Sequence, residues 1–287
     1  MASIAKLMVL RRALERVIAH SYLLALEGKC ILENALYHVV GPVMQQLDRL
    51  TGQTTLRHGG RRNKVVLVPG FFQQSHVMMP LQHYLHERGW SCEIVQHKPY
   101  NDDLRKQAAT LEARLEELAD QDHKADAAAR YDLIGHSQGG LIVRYVAQAR
   151  PELVERCITL GTPHHGTRAA SLAVRAERAL LRKTMLSGIS AIQMMPGSEF
   201  LKELNSAPLP GGVQFYSIYG ERDVLVWPPE SARLEGAENI PTDRHHMSLI
   251  GDRSGVFKII FHILSGRKVR AYKYGGVIRY KITNNSE

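Results

Sequence analysis

Apolar and polar residues along the chain form two kinds of repeat. Short, nearly continuous apolar runs predict buried β-strands, and they occur at residues 64–68, 91–97, 131–135, 154–160 and 213–219. Between these runs, apolar residues recur at three- and four-residue steps, which predicts amphipathic helices. One such helix precedes the third strand and is marked by Leu104, Leu111, Leu115 and Leu118. Strands that alternate with helices predict an α/β fold, with a mostly parallel sheet and helices on both of its faces.

The first 62 residues carry a different pattern, in which two amphipathic stripes precede a linker. The stripes consist of Leu7, Leu10, Leu14, Val17 and Leu24, and of Leu32, Leu36, Val39, Val43, Leu47 and Leu50. We expect residues 1–62 to form an N-terminal helical extension, either as a hairpin that caps the core or as a segment that lies on a membrane surface. The stripes are too short and too charged to predict a membrane-spanning helix or a signal peptide.

Two other segments depart from the alternation of strands and helices. Within the core domain predicted at residues 63–265, an insertion at residues 167–210 is rich in Ala, Leu and Met. We expect a helical lid over an acyl-binding groove there, with helices packed into the core as the alternative. Residues 266–287 follow the core, and the cations between residues 267 and 281 have no acidic residue among them. This segment is expected to be a basic hairpin or a solvated tail.

Length and residue types narrow the classes of protein that fit this pattern. The 287 residues suffice for a large core without disulfides, and we expect three free, buried thiols at Cys30, Cys92 and Cys157. The pairs His164-His165 and His245-His246 lack the spacing of metal ligands, so no metal site is expected. No pattern in the chain indicates another cofactor.

The net charge of +9 bears on the partners of the protein. Aromatic residues make up 7% of the chain and are not interleaved with the basic ones, which disfavours nucleic acid. A basic surface suits an anionic membrane, and the N-terminal helices or the basic tail would make that contact. We therefore expect a cytoplasmic protein, with or without peripheral attachment to a membrane.

The strand at 131–135 runs into the sequence Gly135-His136-Ser137-Gln138-Gly139-Gly140 at the start of a helix. A strand that turns sharply into a helix crowds its neighbours, and glycines on either side relieve that crowding. The turn would raise the hydroxyl of Ser137 clear of the sheet. It would also leave the amide of Gln138 at a helix N-terminus, where it can stabilise an oxyanion. The pattern predicts a nucleophilic serine, and an ordinary glycine-rich turn is the alternative.

An acid and a base for this serine lie farther along the chain. Asp223 follows the strand at 213–219, and active-site residues of parallel sheets gather at the ends of strands. The alternative acids are Glu221, Glu230 and Asp243. His246 is preferred to His245 as the base, because Leu249 three residues later can pack under the sheet and orient the ring.

The strand at 64–68 is followed by Pro69-Gly70, a break that would direct the next backbone amide into the cleft. We expect the amide of Phe71 to be the second oxyanion donor, with an ordinary turn as the alternative. Phe72 is expected to line an acyl pocket together with Met194 and Met195, whose flexible side chains adapt to varied shapes.

As a set, these motifs resemble the lipase branch of the α/β-hydrolase superfamily, including bacterial triacylglycerol lipases and inositol-deacylase-like esterases. The resemblance spans about residues 63–265 and also includes the segments 160–167 and 231–239. It implies an α/β-hydrolase fold and hydrolysis of carboxylic esters, chiefly of lipids, through Ser137, His246 and Asp223 and an acyl-enzyme. Pro69 stands where the family often has histidine, so a side-chain hydrogen bond that braces the oxyanion loop is expected to be missing.

The same three side chains could serve other chemistry. Acyl transfer uses a different acceptor, and thioester cleavage uses a different leaving group, with no change in the nucleophile. A lipid-binding scaffold that has kept the fold without activity is the third alternative.

Overall fold

The computed structural model describes residues 64–71, 73, 75–96, 102–123, 129–181, 188–251 and 255–284. The predicted N-terminal extension at 1–62 therefore lies outside the described residues, as does Phe72. None of the described helices combines the length and the apolarity that crossing a bilayer requires.

A single parallel sheet of six strands forms the centre of the domain. Its strands are β1 (Lys64–Val68), β2 (Ser91–Ile94), β3 (Tyr131–His136), β4 (Val154–Leu160), β5 (Gln214–Gly220) and β6 (Glu238–Thr242). Their spatial order is β2-β1-β3-β4-β5-β6, and every neighbouring pair is parallel. The prediction of a mostly parallel α/β sheet is thus confirmed. The second strand is shorter than the predicted 91–97, and the sixth was not predicted.

Seven described α-helices connect or cover the strands. They are α1 (Met79–His86), α2 (Leu104–His123), α3 (Gln138–Ala149), α4 (Arg168–Leu181), α5 (Gly188–Gln193), α6 (Glu199–Ser206) and α7 (Val256–Leu264). The sheet separates two apolar clusters, one with α2 and α3 and the other with α1 and α7. Successive strand residues explain this division, because Val66 and Val68 enter the first cluster whereas Val65 and Leu67 enter the second. The predicted helices on both faces are confirmed.

The insertion between β4 and β5 consists of α4, α5 and α6. Its last helix is packed into the core, since Phe200, Leu201 and Leu204 of α6 belong to the same apolar cluster as α2 and α3. Leu172 of α4 and Ile189 of α5 are exposed. The packed-helix alternative therefore describes α6, and a lid in the α4 region stays a prediction.

Residues 268–283 form an antiparallel hairpin of β7 (Lys268–Tyr274) and β8 (Val277–Thr283). Gly275 and Gly276 form its turn with φ angles of 58° and 76°, a conformation that favours glycine. Val269 is buried, and the Tyr280 hydroxyl donates to the backbone oxygen of Pro241 at 3.1 Å. The basic segment is thus a hairpin packed on the domain. Cys92 and Cys157 are free and buried, as expected, and Cys30 lies outside the described residues.

Glycines allow α3 to approach the sheet closely at its first turn. A Cβ atom on Gly135 would collide with the backbone oxygen of Gly139, and one on Gly139 would collide with that of Val68. On Gly140, an added Cβ would collide with the side chain of Thr162. The ends of β1 and β3 and the start of α3 therefore meet at one point, and any side chain there would push them apart.

This packing predicts different outcomes for two glycine substitutions. Gly135→Ala is expected to lower the free energy of unfolding by about 3 kcal/mol, because backbone atoms must move to admit the methyl group. The matched control is Gly211→Ala, where an added Cβ meets no described atom within 4 Å. The control should change stability by less than about 1 kcal/mol. Urea unfolding measures both, and equal stabilities would contradict the close approach.

Candidate active site

Ser137 lies at the sharp turn between β3 and α3. Its φ and ψ angles are 54° and −121°, and it is the only residue other than glycine with a positive φ in the described part of the chain. Such a conformation costs about 1–3 kcal/mol and persists only where the surroundings enforce it. The backbone amide of Ser137 donates to the backbone oxygen of Leu160 at 2.8 Å. The backbone oxygen of Ser137 accepts from the amide of Gly140 at 3.0 Å. The side chain is partly accessible, whereas the flanking His136 and Gln138 are buried.

Asp223 follows the end of β5 and is 3% exposed. Its Oδ1 accepts hydrogen bonds from the backbone amides of Leu225 at 2.9 Å and Val226 at 2.8 Å. Its Oδ2 lies 2.7 Å from Nδ1 of His246. One oxygen therefore fixes the orientation of the carboxylate, and the other holds the imidazole.

His246 is 3% exposed and immediately precedes the 3₁₀ helix Met247–Ile250. Because Nδ1 donates to Asp223, the neutral ring carries its proton on Nδ1 and leaves Nε2 as an acceptor. A Cβ atom on Gly161 would lie 2.7 Å from the side chain of Leu249 and 3.2 Å from Nδ1 of His246. Leu249 is buried in the same region, where the sequence pattern places it, and the bare backbone of Gly161 leaves room for the ring.

His136 connects the turn at Ser137 to His246. The two imidazole rings are tilted, with centroids 4.7 Å apart, and Nε2 of His136 lies 3.3 Å from the backbone oxygen of His246. Complete burial holds the pKa of His136 well below its ordinary value, which keeps the ring neutral beside His246. The residue before Ser137 therefore touches the predicted base directly.

Gln73 braces the loop after β1, a role that sequence analysis did not identify. Its Oε1 accepts from the Gly70 amide at 2.7 Å and lies 3.0 Å from Nδ1 of His136. Its backbone amide donates to the Gly70 oxygen at 3.1 Å, and its side chain is buried. The expectation that Pro69 leaves this loop without a side-chain brace is wrong. A polar residue three positions after a Pro-Gly break was the available signal.

The predicted oxyanion donors lie on either side of Ser137. A Cβ atom on Gly70 would lie 2.9 Å from Cβ of Ser137, so the loop that continues into Phe71 runs alongside the serine. Gln138 is the first residue of α3, where backbone amides point toward the positive end of the helix dipole. Its side chain is turned inward and donates to Oε1 of Gln107 at 2.8 Å.

Two of the three residues predicted to contact a substrate chain can be placed. Met194 is buried in the cluster formed with α2 and α3, and Met195 packs against that cluster while remaining partly exposed. Phe71 packs against the same cluster. These side chains belong to or pack against one apolar cluster, and Phe72 lies outside the described residues.

Comparisons with known proteins assign this arrangement to a family. A family model described as palmitoyl protein thioesterase matches residues 64–206. The crystal structure of the mature lipase BlEst2 from Bacillus licheniformis superposes with a TM-score of 0.60 and 19% identity, over 73% of this chain and 95% of that one. The chain has the α/β-hydrolase fold, and these matches support the lipase and esterase branch of that superfamily.

Two other relatives have narrower overlaps with this α/β-hydrolase. The monoacylglycerol lipase of Paleococcus ferrophilus has a TM-score of 0.52 and 15% identity, over 71% of this chain and 93% of that one. A triacylglycerol lipase of Pseudomonas fragi is 31% identical over 155 residues, which are 51% of this chain and 49% of the relative. The chain thus spans about half the length of that lipase, and less of other curated relatives that it matches.

The rival acids and the rival base in this α/β-hydrolase have other partners. Glu221 forms an ion pair with Lys273 at 2.9 Å, and Asp243 pairs with Arg244 at 3.3 Å. The Nδ1 of His245 lies 3.1 Å from the backbone oxygen of Arg222. Glu230 is exposed. The structure brings Asp223 and His246 together and directs these neighbours elsewhere.

A metal centre requires several ligating side chains that converge on one point. Within the described residues, no group of three or more His, Cys, Asp or Glu side chains is placed to hold an ion. His164 is buried, with Nε2 3.1 Å from the Thr159 hydroxyl and Nδ1 3.5 Å from Arg144, and burial lowers its pKa. Its neighbour His165 is exposed. This pair therefore does not converge on one point.

The hydrogen bonds of Asp223 predict a stability difference between two substitutions. Asp223→Ala removes the acceptor of three buried donors and should lower the free energy of unfolding by about 3 kcal/mol. Asp223→Asn keeps one oxygen for the two backbone amides, so the loss should be less than about half as large. Thermal and urea unfolding measure the difference. The control Asp243→Ala, at an exposed position, should stay within about 0.5 kcal/mol of wild type, and equal losses for all three variants would contradict the assigned bonds.

Proposed function

We propose that this α/β-hydrolase cleaves carboxylic esters of lipids through Ser137, His246 and Asp223. The observation that carries the proposal is the 2.7 Å contact between Nδ1 of His246 and Oδ2 of Asp223, beside a serine in a strained turn. A buried carboxylate in this position orients the imidazole and stabilises its cation when a proton arrives.

Acylation begins when Nε2 of His246 accepts the proton of the Ser137 hydroxyl. The serine oxygen attacks the ester carbonyl, and the amides of Gln138 and Phe71 donate to the resulting oxyanion. His246 then gives its proton to the departing alcohol, which leaves an acyl group on Ser137. Throughout this step Asp223 stays hydrogen-bonded to Nδ1.

Deacylation repeats the same sequence with water as the nucleophile. His246 removes a proton from the water, the hydroxide oxygen attacks the acyl carbonyl, and the two amides again stabilise the oxyanion. The proton returns to the serine oxygen as the carboxylic acid leaves. No metal or redox cofactor takes part in these steps.

The proposed substrate is a lipid ester, for two reasons. Relatives of similar sequence or fold include a triacylglycerol lipase and a monoacylglycerol lipase. Phe71, in the loop beside Ser137, packs against the apolar cluster that contains Met194, as does Met195, and apolar side chains of this kind suit an acyl chain. Under this proposal the protein is cytoplasmic, meets its substrate at a lipid surface, and uses the α4 region as a lid.

Thioester hydrolysis is a second candidate, which the palmitoyl protein thioesterase model over residues 64–206 favours. It uses the same acylation chemistry with a thiolate as the leaving group. The kcat/KM values for palmitoyl-coenzyme A and for a long-chain p-nitrophenyl ester decide between the two. Added alcohol tests for acyl transfer, because a transferase would form a new ester rather than free acid.

The first test of the proposal is whether ester hydrolysis requires the hydroxyl of Ser137. Ser137→Ala should lower kcat/KM for p-nitrophenyl butyrate by about 10⁴-fold or more, since no other group can form the acyl-enzyme. A fluorophosphonate should label wild type and the control Ser171→Ala, and should leave Ser137→Ala unlabelled. Substantial turnover by Ser137→Ala would overturn the site. An unlabelled wild type would favour the non-catalytic scaffold.

Gln73 provides a second test, because it positions the loop that carries the Phe71 amide. Gln73→Met leaves the Gly70 amide without its acceptor, and we expect kcat to fall about 10- to 100-fold, below the full cost of a lost oxyanion donor. KM should change by less than about threefold, since the side chains of Phe71, Met194 and Met195 are left unchanged.

Two further variants separate positioning from general damage in this test. Gln73→Glu keeps an acceptor and should retain more activity than Gln73→Met. The control Gln148→Met loses bonds to the backbone oxygens of Leu204 and Ala207 at the far end of α3 and should match wild type. A rise in KM without a fall in kcat would contradict a positioning role.

A further inference from the structure

The C-terminal hairpin presents two chemically different faces. In an antiparallel pair, residues directly opposite each other project to the same side, so the register fixes which side chains share a face. Val269 pairs with Ile282 and Ala271 with Tyr280, and of these four Ile282 is 40% exposed. Val269, Ala271 and Tyr280 belong to or pack against the cluster that contains α1 and α7.

The opposite face of the hairpin is basic from its base to its middle. The pairs Arg270–Lys281 and Tyr272–Arg279 place their side chains there, as does Lys268. All four cations on this face are exposed, and no acidic residue belongs to either described strand. We call residues 268, 270, 272, 274, 277, 279 and 281 the outer face of the hairpin.

The tip of the outer face is apolar. Tyr274 and Val277 flank the glycine turn opposite each other and are 66% and 55% exposed. Tyr272 is 49% exposed, and the guanidinium of Arg279 lies 5.1 Å from the ring centroid of Tyr274. Cations at the base and apolar side chains at the tip therefore form one continuous surface.

The tip lies at the edge of the sheet that carries the candidate site. Burial raises the pKa of Glu238 at the start of β6. Arg270 and Lys268, at the base of the hairpin, lie close enough to this carboxyl for their charges to lower its pKa, but burial outweighs them. Toward the tip, Nζ of Lys273 is 2.9 Å from Glu221, two residues before Asp223. The hairpin therefore extends from the amino end of β6 to the loop that holds Asp223.

We propose that the outer face of the hairpin docks the protein on an anionic lipid bilayer. Its four cations match the negative charge of phosphatidylserine-type headgroups, and each such cation near the surface strengthens binding about fivefold. Tyrosine and valine at the tip can enter the boundary between headgroups and acyl chains, where amphipathic rings are stable. Docking in this orientation would turn the edge with Asp223 toward the lipid.

A nucleic acid fits this surface less well than a bilayer does. Phosphates would pair with the cations, but an exposed Val277 at the leading end gains nothing from a phosphate backbone. Trp227, in the loop after Asp223, is 41% exposed at the same edge of the sheet. An exposed indole at that edge suits the boundary of a lipid bilayer better than a phosphate backbone.

Vesicle binding tests the proposal without relying on catalysis. The probe is vesicles of phosphatidylcholine and phosphatidylserine at a ratio of about 2:1, compared with pure phosphatidylcholine, in a sedimentation assay. The test variant combines K268Q, R270Q, R279Q and K281Q. The matched control combines K106Q, K202Q, R233Q and K258Q, which removes the same charge from exposed positions outside the hairpin. A third variant, Y274S with V277S, alters the tip alone.

Wild type and the control should bind the anionic vesicles, and the hairpin variant should bind at least about tenfold more weakly. Raising sodium chloride from about 0.1 M to 1 M should weaken wild-type binding, because the Debye length falls from about 10 Å to 3 Å. At about 1 M sodium chloride, the binding that wild type retains should be weaker in the tip variant, because apolar contacts are not screened by salt. All variants should unfold like wild type in urea and keep wild-type hydrolysis of p-nitrophenyl butyrate.

Three results would overturn the docking surface. One is equal binding of the hairpin variant and its control, which would make net charge the cause. Another is binding to pure phosphatidylcholine as strong as to anionic vesicles. The last is hairpin-dependent binding to a DNA or RNA duplex with none to vesicles. If wild type shows no esterase activity, the proposed reaction is refuted, and the vesicle result still stands.

Discussion

The close approach of β1, β3 and α3 is the constraint on which the site depends. Three glycines allow it, and the consequence is a positive φ at Ser137, which a residue with a side chain adopts only under compulsion. All six residues of β3 are buried, so the strand cannot shift to relax the turn. The packing of the sheet thereby holds Ser137 in an unfavourable backbone conformation at a partly accessible position, and Asp223, His246 and Gln73 are arranged around that point.

A buried hydrogen-bonded network extends this constraint to two other loops. Gln73 fixes Gly70 on one side, while His136 links Gln73 to the backbone of His246 on the other. Hydrogen bonds of this kind are strong in a low-dielectric interior, and each unsatisfied partner would be costly. The loop after β1, the turn at β3 and the loop after β6 are therefore bonded to one another, which suits a site that must hold several groups in fixed relation.

Five of the six strands could be predicted because buried parallel strands are apolar almost throughout. Strand β6 lies at an edge, where Ile240 is its one buried large apolar residue and Pro241 is tolerated, so its pattern is weak. Asp223 could be preferred to Glu221 because strand ends converge at one edge. Gln73 could not be identified, since its bond to Gly70 depends on how the loop folds, and only the register showed which hairpin residues share the outer face.

The exposed cations of the hairpin and the buried side chains of the candidate site occupy different parts of the fold. The cations of the outer face are exposed, whereas Asp223 and His246 are 3% exposed and satisfied by each other and by backbone amides. Solvent and salt screen exposed charges over about 8–10 Å, so the cations of the outer face act mainly on a charged surface that lies close to them. Attraction and reaction can thus be adjusted independently, one through the exposed face of β7 and β8 and the other through the packing that holds Ser137.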